Sequence, residues 1–225
     1  MPQKKYYHAY DERYRQIHEQ GLKWFHNTRS AIVKETIEKY SIQKNDPILE
    51  IGCGEGRDAI PLLKQGYNLW ATDVSEEAVY FCKNALPEHS DSFSVMDCTK
   101  DYFEQKFDFI YAVAVIHMLV TDEDRNAFYS FIRQQLSEKG VALICTMGNG
   151  LTEFQTDIHT AFHLKERFHD QSGKTVQIVN TSCRTVSFSH FGGELYKNGL
   201  TILEQGKTSV PPDFPQMMYA IVKTM

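Results

Sequence analysis

The residues best suited to chemistry lie in a glycine-rich segment near position 50. There, an apolar run that contains Glu50 leads into three alternating glycines, Gly52, Gly54 and Gly56. Glycine has no Cβ, so the chain can turn tightly and its N–H groups can approach a ligand closely. A helical pattern begins directly afterwards, at residues 59–63. A strand, a ligand-cradling turn and a helix N-terminus form the arrangement with which open α/β sheets bind nucleotides.

Two further carboxylates follow, each at the end of a predicted strand. Asp73 ends the apolar run that begins at Asn68, and Asp97 ends the run that begins at Phe93. A single aspartate at a strand end more often forms a turn or caps a helix than binds a ligand. Three acidic strand ends in consecutive strand–helix units reverse this expectation, because parallel strands deliver their carboxyl ends to one edge, where open α/β folds bind ligands. Carboxylates there can accept hydrogen bonds from ribose hydroxyls.

The spacing of the glycines indicates which kind of nucleotide ligand the turn would bind. A dinucleotide fingerprint, G-x-G-x-x-G, requires a glycine at the position directly after Gly56, where this chain has another residue. The observed pattern, Glu50-x-Gly52-x-Gly54-x-Gly56, resembles the first motif of the class I S-adenosylmethionine-dependent methyltransferases. The resemblance covers residues 46–147 and, more loosely, the last two predicted strands. The alternative is a glycine-rich turn that binds no ligand.

This resemblance implies that the chain binds S-adenosylmethionine. Glu50 would lie near the cationic methionine end, Asp73 would accept hydrogen bonds from the ribose, and Asp97 would receive the adenine amine while Met96 packs on the ring. Carboxylates suit a ligand with a sulfonium and an ammonium group by charge complementarity. The predicted cofactor-binding residues are Glu50, Gly52, Cys53, Gly54, Glu55, Gly56, Arg57, Asp58, Asp73, Val74, Ser75, Met96, Asp97, Cys98, Ala112, Val113 and Ala114.

The end of the fourth predicted strand bears on the methyl acceptor. Many nucleic-acid amino-methyltransferases carry an Asn/Asp-Pro-Pro-aromatic motif there, whereas this chain has Ala112–His117, without proline or amide. The segment is similar to small-molecule members of the family instead. In addition, the Gly-Arg-Asp sequence at 56–58 resembles the tellurite-resistance and thiopurine methyltransferase branches. A small-molecule acceptor is therefore expected.

Two side chains are candidate catalytic residues. His117 leaves the fourth strand at the ligand-binding edge, where it could contact the acceptor or act as a base; a histidine that bonds a loop carbonyl is the equal alternative. Tyr14 belongs to an aromatic segment, residues 1–45, predicted to form a helical lid or cap. Packing on the sheet explains most of these aromatics, but similar enzymes fold this segment over the cofactor, so we expect a lid role for at least one of Tyr10, Tyr14 and Trp24.

Strand-like and helix-like segments alternate through residues 46–147, which predicts an α/β fold with a parallel sheet. With the resemblance, the expected fold is a Rossmann-like, doubly wound, mainly parallel seven-stranded sheet that ends in an antiparallel hairpin. Residues 46–225 would form the methyltransferase domain. The lid at residues 1–45 would pack onto it, so that the chain forms a single domain overall. An insertion at about 148–185 interrupts it, with helical segments around Phe154 to Phe168 and a strand at Thr175 to Asn180.

Local signals place several of the elements. The near-continuous apolar run Phe107–Ile116 predicts a central strand that is buried on both faces. Ser75 and Thr121 stand where helices should begin, and each is followed by acidic residues that favour a helix N-terminus. Arg184 and the insertion are further candidates for substrate contact.

Composition narrows the class of protein. The chain has 225 residues, 26.0 kDa, a formal net charge of −5 and five scattered cysteines without a Cys-x-x-Cys pair. The length favours a single α/β domain, and the scattered cysteines favour reduced thiols over disulfides or a zinc site. The net charge gives no reason to expect a nucleic-acid partner. No signal peptide and no apolar run of membrane-spanning length is apparent, so a cytoplasmic location is expected. His159 and His163 have the i, i+4 spacing of metal ligands, but the motif is incomplete and no metal is expected.

The leading hypothesis is a methyltransferase that uses S-adenosylmethionine and a small-molecule substrate, with no nucleic-acid or membrane partner. Its oligomeric state is open. The first alternative keeps the chemistry but changes the acceptor to protein or RNA. The second is a catalytically silent module that retains the cofactor pocket, and a nicotinamide-dependent oxidoreductase is disfavoured by the glycine spacing.

Overall fold

The structure, a computed structural model, describes residues 4–26 and 28–225. Its strands are β1 (Ile48–Ile51), β2 (Leu69–Asp73), β3 (Phe93–Val95), β4 (Phe107–Val113), β5 (Leu136–Met147), β6 (Phe154–Gln155), β7 (Leu164–His169), β8 (Lys174–Val179), β9 (Arg184–Thr185), β10 (Leu200–Val210) and β11 (Phe214–Thr224). Its α-helices are α1 (Ala9–His18), α2 (Ala31–Lys39), α3 (Ala59–Lys64), α4 (Glu76–Ala85), α5 (Asp122–Gln135) and α6 (Phe188–Lys197).

Within the described residues, seven strands form one sheet in the order β10-β11-β5-β4-β1-β2-β3. The pairs β1–β2, β1–β4, β2–β3 and β4–β5 are parallel, and β11 runs antiparallel to both β5 and β10. This topology confirms the predicted Rossmann-like sheet and its closing hairpin. Because the first strands are parallel and in step, with Glu50 opposite Ala71 and Asp73 opposite Val95, their carboxyl ends meet at one edge.

The sheet is covered on both faces. Alternate residues of β4 point into separate apolar clusters: Ile110 and Ala112 pack with residues of α5 and α6, whereas Phe109, Tyr111 and Val113 pack with residues of α2, α3 and α4. All five side chains are buried. The predicted burial of the central strand on both faces is therefore confirmed, although the strand ends at Val113. Ala114 leaves it with φ +63°, and a 3₁₀ turn follows.

The two predicted helix starts are also confirmed. The Ser75 side chain accepts a hydrogen bond from the backbone N of Ala78 (3.0 Å), and the Thr121 side chain accepts one from the backbone N of Asp124 (3.2 Å). Each side chain satisfies a backbone donor that the first helical turn leaves free. Both caps sit where a sheet strand gives way to a helix, so they fix the angle at which the chain leaves the functional edge.

The predicted helical segments around Phe154 to Phe168 are wrong. This part of the insertion holds the short strand β6, a single 3₁₀ turn at Ile158–Thr160 and the strand β7, which pairs with β8 as an antiparallel hairpin. Strand pairing is non-local, and here it overrides the local spacing; a turn with Gly173 at φ +66° closes the hairpin. Consequently His159 and His163 do not share an α-helix. The strand predicted at Thr175 to Asn180 corresponds to β8.

The N-terminal segment is helical in α1 and α2. Helix α1 packs against α4 and against the hairpin strand β8, where Ile17 is buried with Val176 and Ile178. The helix therefore bridges from the sheet's functional edge to the insertion. No helix within residues 4–26 and 28–225 combines the length and apolar character needed to cross a membrane. Over the same residues, no group of three or more histidine, cysteine or acidic side chains is arranged to hold a metal ion.

Candidate functional site

The glycine turn after β1 is fixed by hydrogen bonds to β2. The backbone N atoms of Gly52 and Cys53 both donate to the carbonyl of Thr72, at 2.7 and 2.8 Å. Gly52 and Gly54 adopt φ +73° and +52°, the left-handed region that disfavours side chains. A Cβ added to Gly54 would lie 2.7 Å from the hydroxyl oxygen of Tyr14. The turn therefore needs glycine both for its conformation and for the space beneath α1.

A cavity opens over this turn, between the carboxyl ends of the strands and the N-terminal segment. We call it the sheet-edge cavity. The three acidic strand ends, Glu50, Asp73 and Asp97, all line it. The predicted cofactor residues in its wall are Glu50, Gly52, Cys53, Gly54, Arg57, Asp73, Val74, Met96, Asp97, Cys98, Val113 and Ala114. Three carboxylates around one concave space favour a cationic or hydroxyl-rich ligand.

Glu50 is the most deeply placed of the three carboxylates. Its side chain is buried and accepts a hydrogen bond from the Tyr111 hydroxyl at 2.9 Å. Burial, reinforced by the nearby charge of Asp58, raises the pKa of Glu50 to about 8. A buried carboxylate without a cation is costly in its charged form, so this position is suited to a positively charged ligand.

Asp73 is held by the glycine turn and by the start of α4. Its two carboxylate oxygens accept hydrogen bonds from the backbone N of Gly54 (2.8 Å) and of Ser75 (2.9 Å). Burial raises the pKa of Asp73 to about 6, in spite of these backbone donors, which lower it. Each oxygen keeps a further lone pair with which it can accept a hydroxyl.

Asp97 has a different environment. Burial alone would raise the pKa of Asp97. The His8 imidazole, whose Nε2 lies 3.8 Å from an Asp97 oxygen, and hydrogen bonds from Thr99 and Tyr7 outweigh burial. Together they hold the pKa of Asp97 well below its ordinary value. Asp97 is therefore ionised near neutral pH. The Tyr7 hydroxyl also ties the start of the N-terminal segment to the end of β3.

Five predicted cofactor residues lie outside the cavity wall: Glu55, Gly56, Asp58, Ser75 and Ala112. Glu55 faces the N-terminal segment, where its carboxylate accepts hydrogen bonds from the backbone N of Trp24 (2.8 Å) and Phe25 (2.9 Å). Asp58 accepts hydrogen bonds from the backbone N and the side chain of Ser30, directly before α2. These acidic residues after the glycines hold the covering segment onto the turn.

The other three residues have structural contacts of their own. Gly56 adopts φ +78° and leaves room for the side chain of Ile60, which a Cβ would meet at 2.6 Å. Ser75 caps α4 and donates to the Asp11 carboxylate of α1 at 2.8 Å. Ala112 is buried in the apolar cluster that β4 forms with residues of α5 and α6.

Several aromatic side chains complete the cavity, and of these sequence analysis predicts only Tyr10, as a lid residue. Phe25 and Phe214 line it, and the guanidinium of Arg57 lies 5.6 and 5.7 Å from their ring centroids. Tyr7 and Tyr10 line it from the N-terminal segment. The aromatic content of that segment is a usable signal for its residues. Phe214 follows a proline-rich loop more than 150 residues after the glycine turn, and no local pattern marks it.

A second space, the outer cleft, adjoins the sheet-edge cavity, and both share the residues Tyr10, Phe25, Met118 and Phe214. Its walls come from α1, from the β7–β8 hairpin and from the loop before β11. His117 lines the outer cleft and not the first cavity. Its ring is buried, and its Nδ1 has no hydrogen-bond partner among the described residues. Burial, together with the charge of Arg125, lowers the pKa of His117 to about 3, so the imidazole is neutral at physiological pH.

Tyr14, the other candidate catalytic residue, lines the sheet-edge cavity from α1. Its side chain is buried, and burial raises the pKa of its phenol well above the ordinary value, so the hydroxyl stays protonated. The ring lies 6.4 Å from that of Phe25. Tyr14 therefore presents a neutral phenol directly above the glycine turn.

Comparisons with known proteins agree with this architecture. Residues 48–140 match a family model described as a methyltransferase domain. A ubiquinone biosynthesis O-methyltransferase from Rickettsia typhi is 27% identical over an alignment of 131 residues, and the match covers 54% of this chain and 51% of that protein. The chain thus spans about half the length of the curated relatives it matches.

Two solved structures share the fold at lower identity. An S-adenosylmethionine-dependent methyltransferase from Clostridium acetobutylicum has a TM-score of 0.66 and 16% identity over 97% of this chain and 98% of its own. A 1,6-didemethyltoxoflavin-N1-methyltransferase from Burkholderia thailandensis has a TM-score of 0.63 and 14% identity over 87% of this chain and 76% of its own. Residues 48–140 therefore match a methyltransferase domain, and the chain has the fold that these two methyltransferase structures share.

Proposed function

We propose that this protein binds S-adenosylmethionine in the sheet-edge cavity and catalyses methyl transfer to a small molecule bound in the outer cleft. One observation carries the proposal: Glu50, Asp73 and Asp97, from three consecutive strand ends, line a single cavity above a glycine turn. A second cleft opens directly beside that cavity and shares residues with it. Two adjoining sites are what a transfer between two bound molecules requires.

The residues of the sheet-edge cavity fit this cofactor. The raised pKa of Glu50 reflects burial and the nearby charge of Asp58, which the charge of Arg57 offsets only in part, and the ammonium or sulfonium group would supply a further cation. Asp73 keeps lone pairs for the ribose hydroxyls, while Met96 and Asp97 line the wall where adenine would lie. The missing Cβ of Gly54 leaves room for the Tyr14 hydroxyl, which covers the turn from α1. When bound, the cofactor supplies a methyl group that positive sulfur activates for in-line displacement.

The side chains of the protein then have to position the acceptor and keep out water. Tyr10, Phe25 and Phe214 line both spaces, so they form the passage between cofactor and acceptor. His117 faces the outer cleft as a neutral imidazole with a free Nδ1. In this form it can accept a hydrogen bond from the acceptor group and orient it, whereas a pKa of about 3 makes the imidazole a poor base. Tyr14 cannot act as a base because its phenol stays protonated.

A small-molecule acceptor suits the shape of the outer cleft. Its walls come from several separate segments, among them α1, the β7–β8 hairpin and the loop before β11, which together form a concave space. The names of the relatives point the same way, since one acts in ubiquinone biosynthesis and another on 1,6-didemethyltoxoflavin. The acidic net charge of −5 offers no general attraction for nucleic acid.

The binding part of the proposal can be tested without knowledge of the acceptor. Calorimetry with S-adenosylhomocysteine should show binding to the wild type, and Asp73→Ala should weaken it by about 10-fold or more, because each hydrogen bond to a charged group contributes about 1.5–3 kcal/mol. Asp91→Ala, which removes an exposed carboxylate, is the matched control and should bind normally. A wild-type protein that binds neither S-adenosylhomocysteine nor S-adenosylmethionine would contradict the proposal.

The acceptor class is tested with isotopically labelled S-adenosylmethionine. Metabolite extract, RNA and peptide mixtures are each incubated with the protein, and the label is followed into each fraction. We expect methylation only in the metabolite fraction. Label in RNA or peptide alone would overturn the small-molecule assignment, and tight cofactor binding with no transfer to any fraction would identify a silent binding module.

A further inference from the structure

Arg13 of α1 is a buried cation without a matching anion. Its residue is 5% exposed, and its Nη2 donates to the backbone carbonyl of Asn180 at 2.8 Å and to the side chain of Thr181. Its Nε is buried and has no hydrogen-bond partner among the described residues. Within residues 4–26 and 28–225, no carboxylate forms an ion pair with this guanidinium. A buried charge normally requires such a partner, because neutral carbonyl groups compensate only part of its lost hydration.

The surroundings add positive charge instead of neutralising it. Arg167, on β7, also lines the outer cleft, and both guanidinium groups lie near one aromatic ring: their central carbons are 4.8 and 5.2 Å from the Trp24 ring centroid. Burial lowers the pKa of Arg13 to about 10, and the charge of Arg167 contributes to this. Arg13 nevertheless stays protonated at neutral pH. Lys165 provides a third cation in the cleft wall.

Two carboxylates also line the outer cleft, and neither neutralises Arg13. Asp213 is occupied by His26, whose backbone N and Nδ1 lie 3.1 and 2.8 Å from its oxygens. Asp170 lies exposed at the turn of the hairpin. Aromatic side chains such as Phe25, Phe168 and Phe214 form much of the remaining wall. The cleft thus combines apolar surface with uncompensated positive charge.

We infer that the methyl acceptor carries an anionic group, a carboxylate or phosphate, which binds in the outer cleft between Arg13 and Arg167, with its apolar body against the aromatic walls. The inference rests on the proposed function. Guanidinium groups recognise both anions through charge-assisted and often bidentate hydrogen bonds. The α-carboxylate of the cofactor is the other possible source of such an anion. The acceptor is the better match because Arg13 lines only the outer cleft, whereas Arg57 is the arginine in the wall of the sheet-edge cavity.

The test compares benzoate with benzamide, its neutral isostere, and with inorganic phosphate. Each probe is titrated into protein saturated with S-adenosylhomocysteine, and Trp24 fluorescence is recorded in a Trp70→Phe background, because the chain has two tryptophans. Benzoate or phosphate should bind, with benzamide at least about 10-fold weaker than benzoate, and Arg13→Gln should abolish that preference. Equal binding of benzamide and benzoate, or no binding of either anion at millimolar concentration, would overturn the inference.

A control separates recognition from a structural role of Arg13. Gln16→Ala removes a neighbouring contact between α1 and β8, the 2.8 Å hydrogen bond from the Val179 N to the Gln16 side chain, and Gln16 itself does not line the cleft. It should leave the preference for benzoate intact. If Gln16→Ala reproduces the effect of Arg13→Gln, Arg13 only ties α1 to the hairpin and the inference fails.

Cofactor binding is measured separately by calorimetry. Arg13→Gln should keep the Kd for S-adenosylhomocysteine within about 2-fold of the wild type. If instead that Kd rises strongly while the Kd for methylthioadenosine, which lacks the amino-acid carboxylate, is unchanged, Arg13 serves the cofactor and the inference is wrong. A wild type that does not bind S-adenosylhomocysteine contradicts the proposed function itself, which is a different result.

Discussion

The sheet-edge cavity and the outer cleft lie side by side but are built in opposite ways. The floor of the cavity comes from consecutive strand ends between Glu50 and Val115, so neighbours in the sequence become neighbours in space. The cleft is assembled from α1, the β7–β8 hairpin and the loop before β11, which are far apart along the chain. The cavity is therefore a consequence of the sheet topology, whereas the cleft depends on how three attached segments pack together.

The two spaces also differ in charge. Carboxylates dominate the cavity, with Glu50 and Asp73 buried and their pKa values raised. The outer cleft, in contrast, is lined by the guanidinium groups of Arg13 and Arg167. Opposite charges in adjoining sites discriminate between two ligands of opposite charge, because each ligand would be repelled from the wrong site. A cationic cofactor and an anionic acceptor would each have one favourable position.

The largest effect is expected from the turn on which the cavity is built. Gly54→Val should abolish binding of S-adenosylhomocysteine, because φ +52° is unfavourable for a β-branched residue and the new side chain would collide with the Tyr14 hydroxyl. Calorimetry measures the loss, and circular dichroism checks that the variant folds.

Gly66→Ala provides the matched control for that substitution. Gly66 also has a positive φ, +83°, but a Cβ there meets nothing within 4 Å. It lies after α3, away from the cavity wall. The variant should lose about 1 kcal/mol of stability from backbone strain and still bind normally. If Gly54→Val is folded and binds as well as Gly66→Ala does, the turn does not contact the ligand.

The difference between the sheet-edge cavity and the outer cleft explains which site residues can be predicted from the sequence. Glu50, Asp73 and Asp97 were recognisable because a strand end and the following helix cap are local features, and parallel pairing then brings them to one edge. Glu55 lies beside the glycines in sequence, yet it faces the N-terminal segment, since its partners are Trp24 and Phe25. Its neighbours in space could not be deduced from its neighbours in sequence.

Of the outer cleft, the sequence predicts only His117 and a contribution from the insertion as substrate contacts, for a related reason. Arg13 has no distinguishing local pattern: in the sequence it is one charged residue of an amphipathic helix. Its burial depends on the segment directly after β8, where Asn180 and Thr181 accept its hydrogen bonds. That hairpin was itself predicted as partly helical, because its strands are stabilised by pairing with each other and not by local propensity. Phe214 likewise reaches both spaces only through the closing hairpin of the sheet.

A second substitution separates ligand binding from stability inside the cavity. Glu50→Gln keeps an acceptor for the Tyr111 hydroxyl and removes the buried charge. We expect it to weaken binding of S-adenosylmethionine by about 10-fold, the loss of one charge-assisted interaction. At the same time, the unliganded variant should be more stable than the wild type at high pH. Differential scanning calorimetry across pH measures the second effect.

The sign of that effect follows from the pKa of Glu50. Its folded value of about 8 exceeds the ordinary 4.5, so the contribution of the acid to stability is complete below pH 4.5 and is lost as the pH rises through 8. Glutamine does not titrate. The Tm of Glu50→Gln should therefore exceed that of the wild type by at least about 2 °C at pH 9, the shift produced by about 1 kcal/mol, and by much less at pH 4.5. Glu138→Gln, at an exposed site, should show no such trend; a pH-independent difference at Glu50 would contradict the buried-charge interpretation.

The smallest effect concerns the contact that holds the N-terminal segment over the cavity. Nε2 of His18 lies 2.9 Å from a Glu55 oxygen, and Nδ1 lies 2.7 Å from a Glu77 oxygen. Burial lowers the pKa of His18, but the hydrogen bonds with Glu55 and Glu77 outweigh burial and raise it above 6.5. The stabilisation of the closed segment is thus complete below pH 6.5 and is lost as the pH rises through the folded pKa. Residues 19–26 should open more readily at pH 9 than at pH 6.

Acrylamide quenching of Trp24, in the Trp70→Phe background, measures this opening. Loss of one charge-assisted hydrogen bond of about 1.5 kcal/mol makes the open state about 10-fold more populated, which is still a minor fraction if the segment is well closed. His18→Gln should remove the pH dependence, because glutamine cannot donate to both carboxylates as an imidazolium does. Glu55→Ala should raise quenching at both pH values, since the backbone N–H groups of Trp24 and Phe25 also lose their acceptor. If His18→Gln keeps the full pH dependence, closure of the segment is governed by another group, and the link between the glycine turn and its cover runs through Glu55 alone.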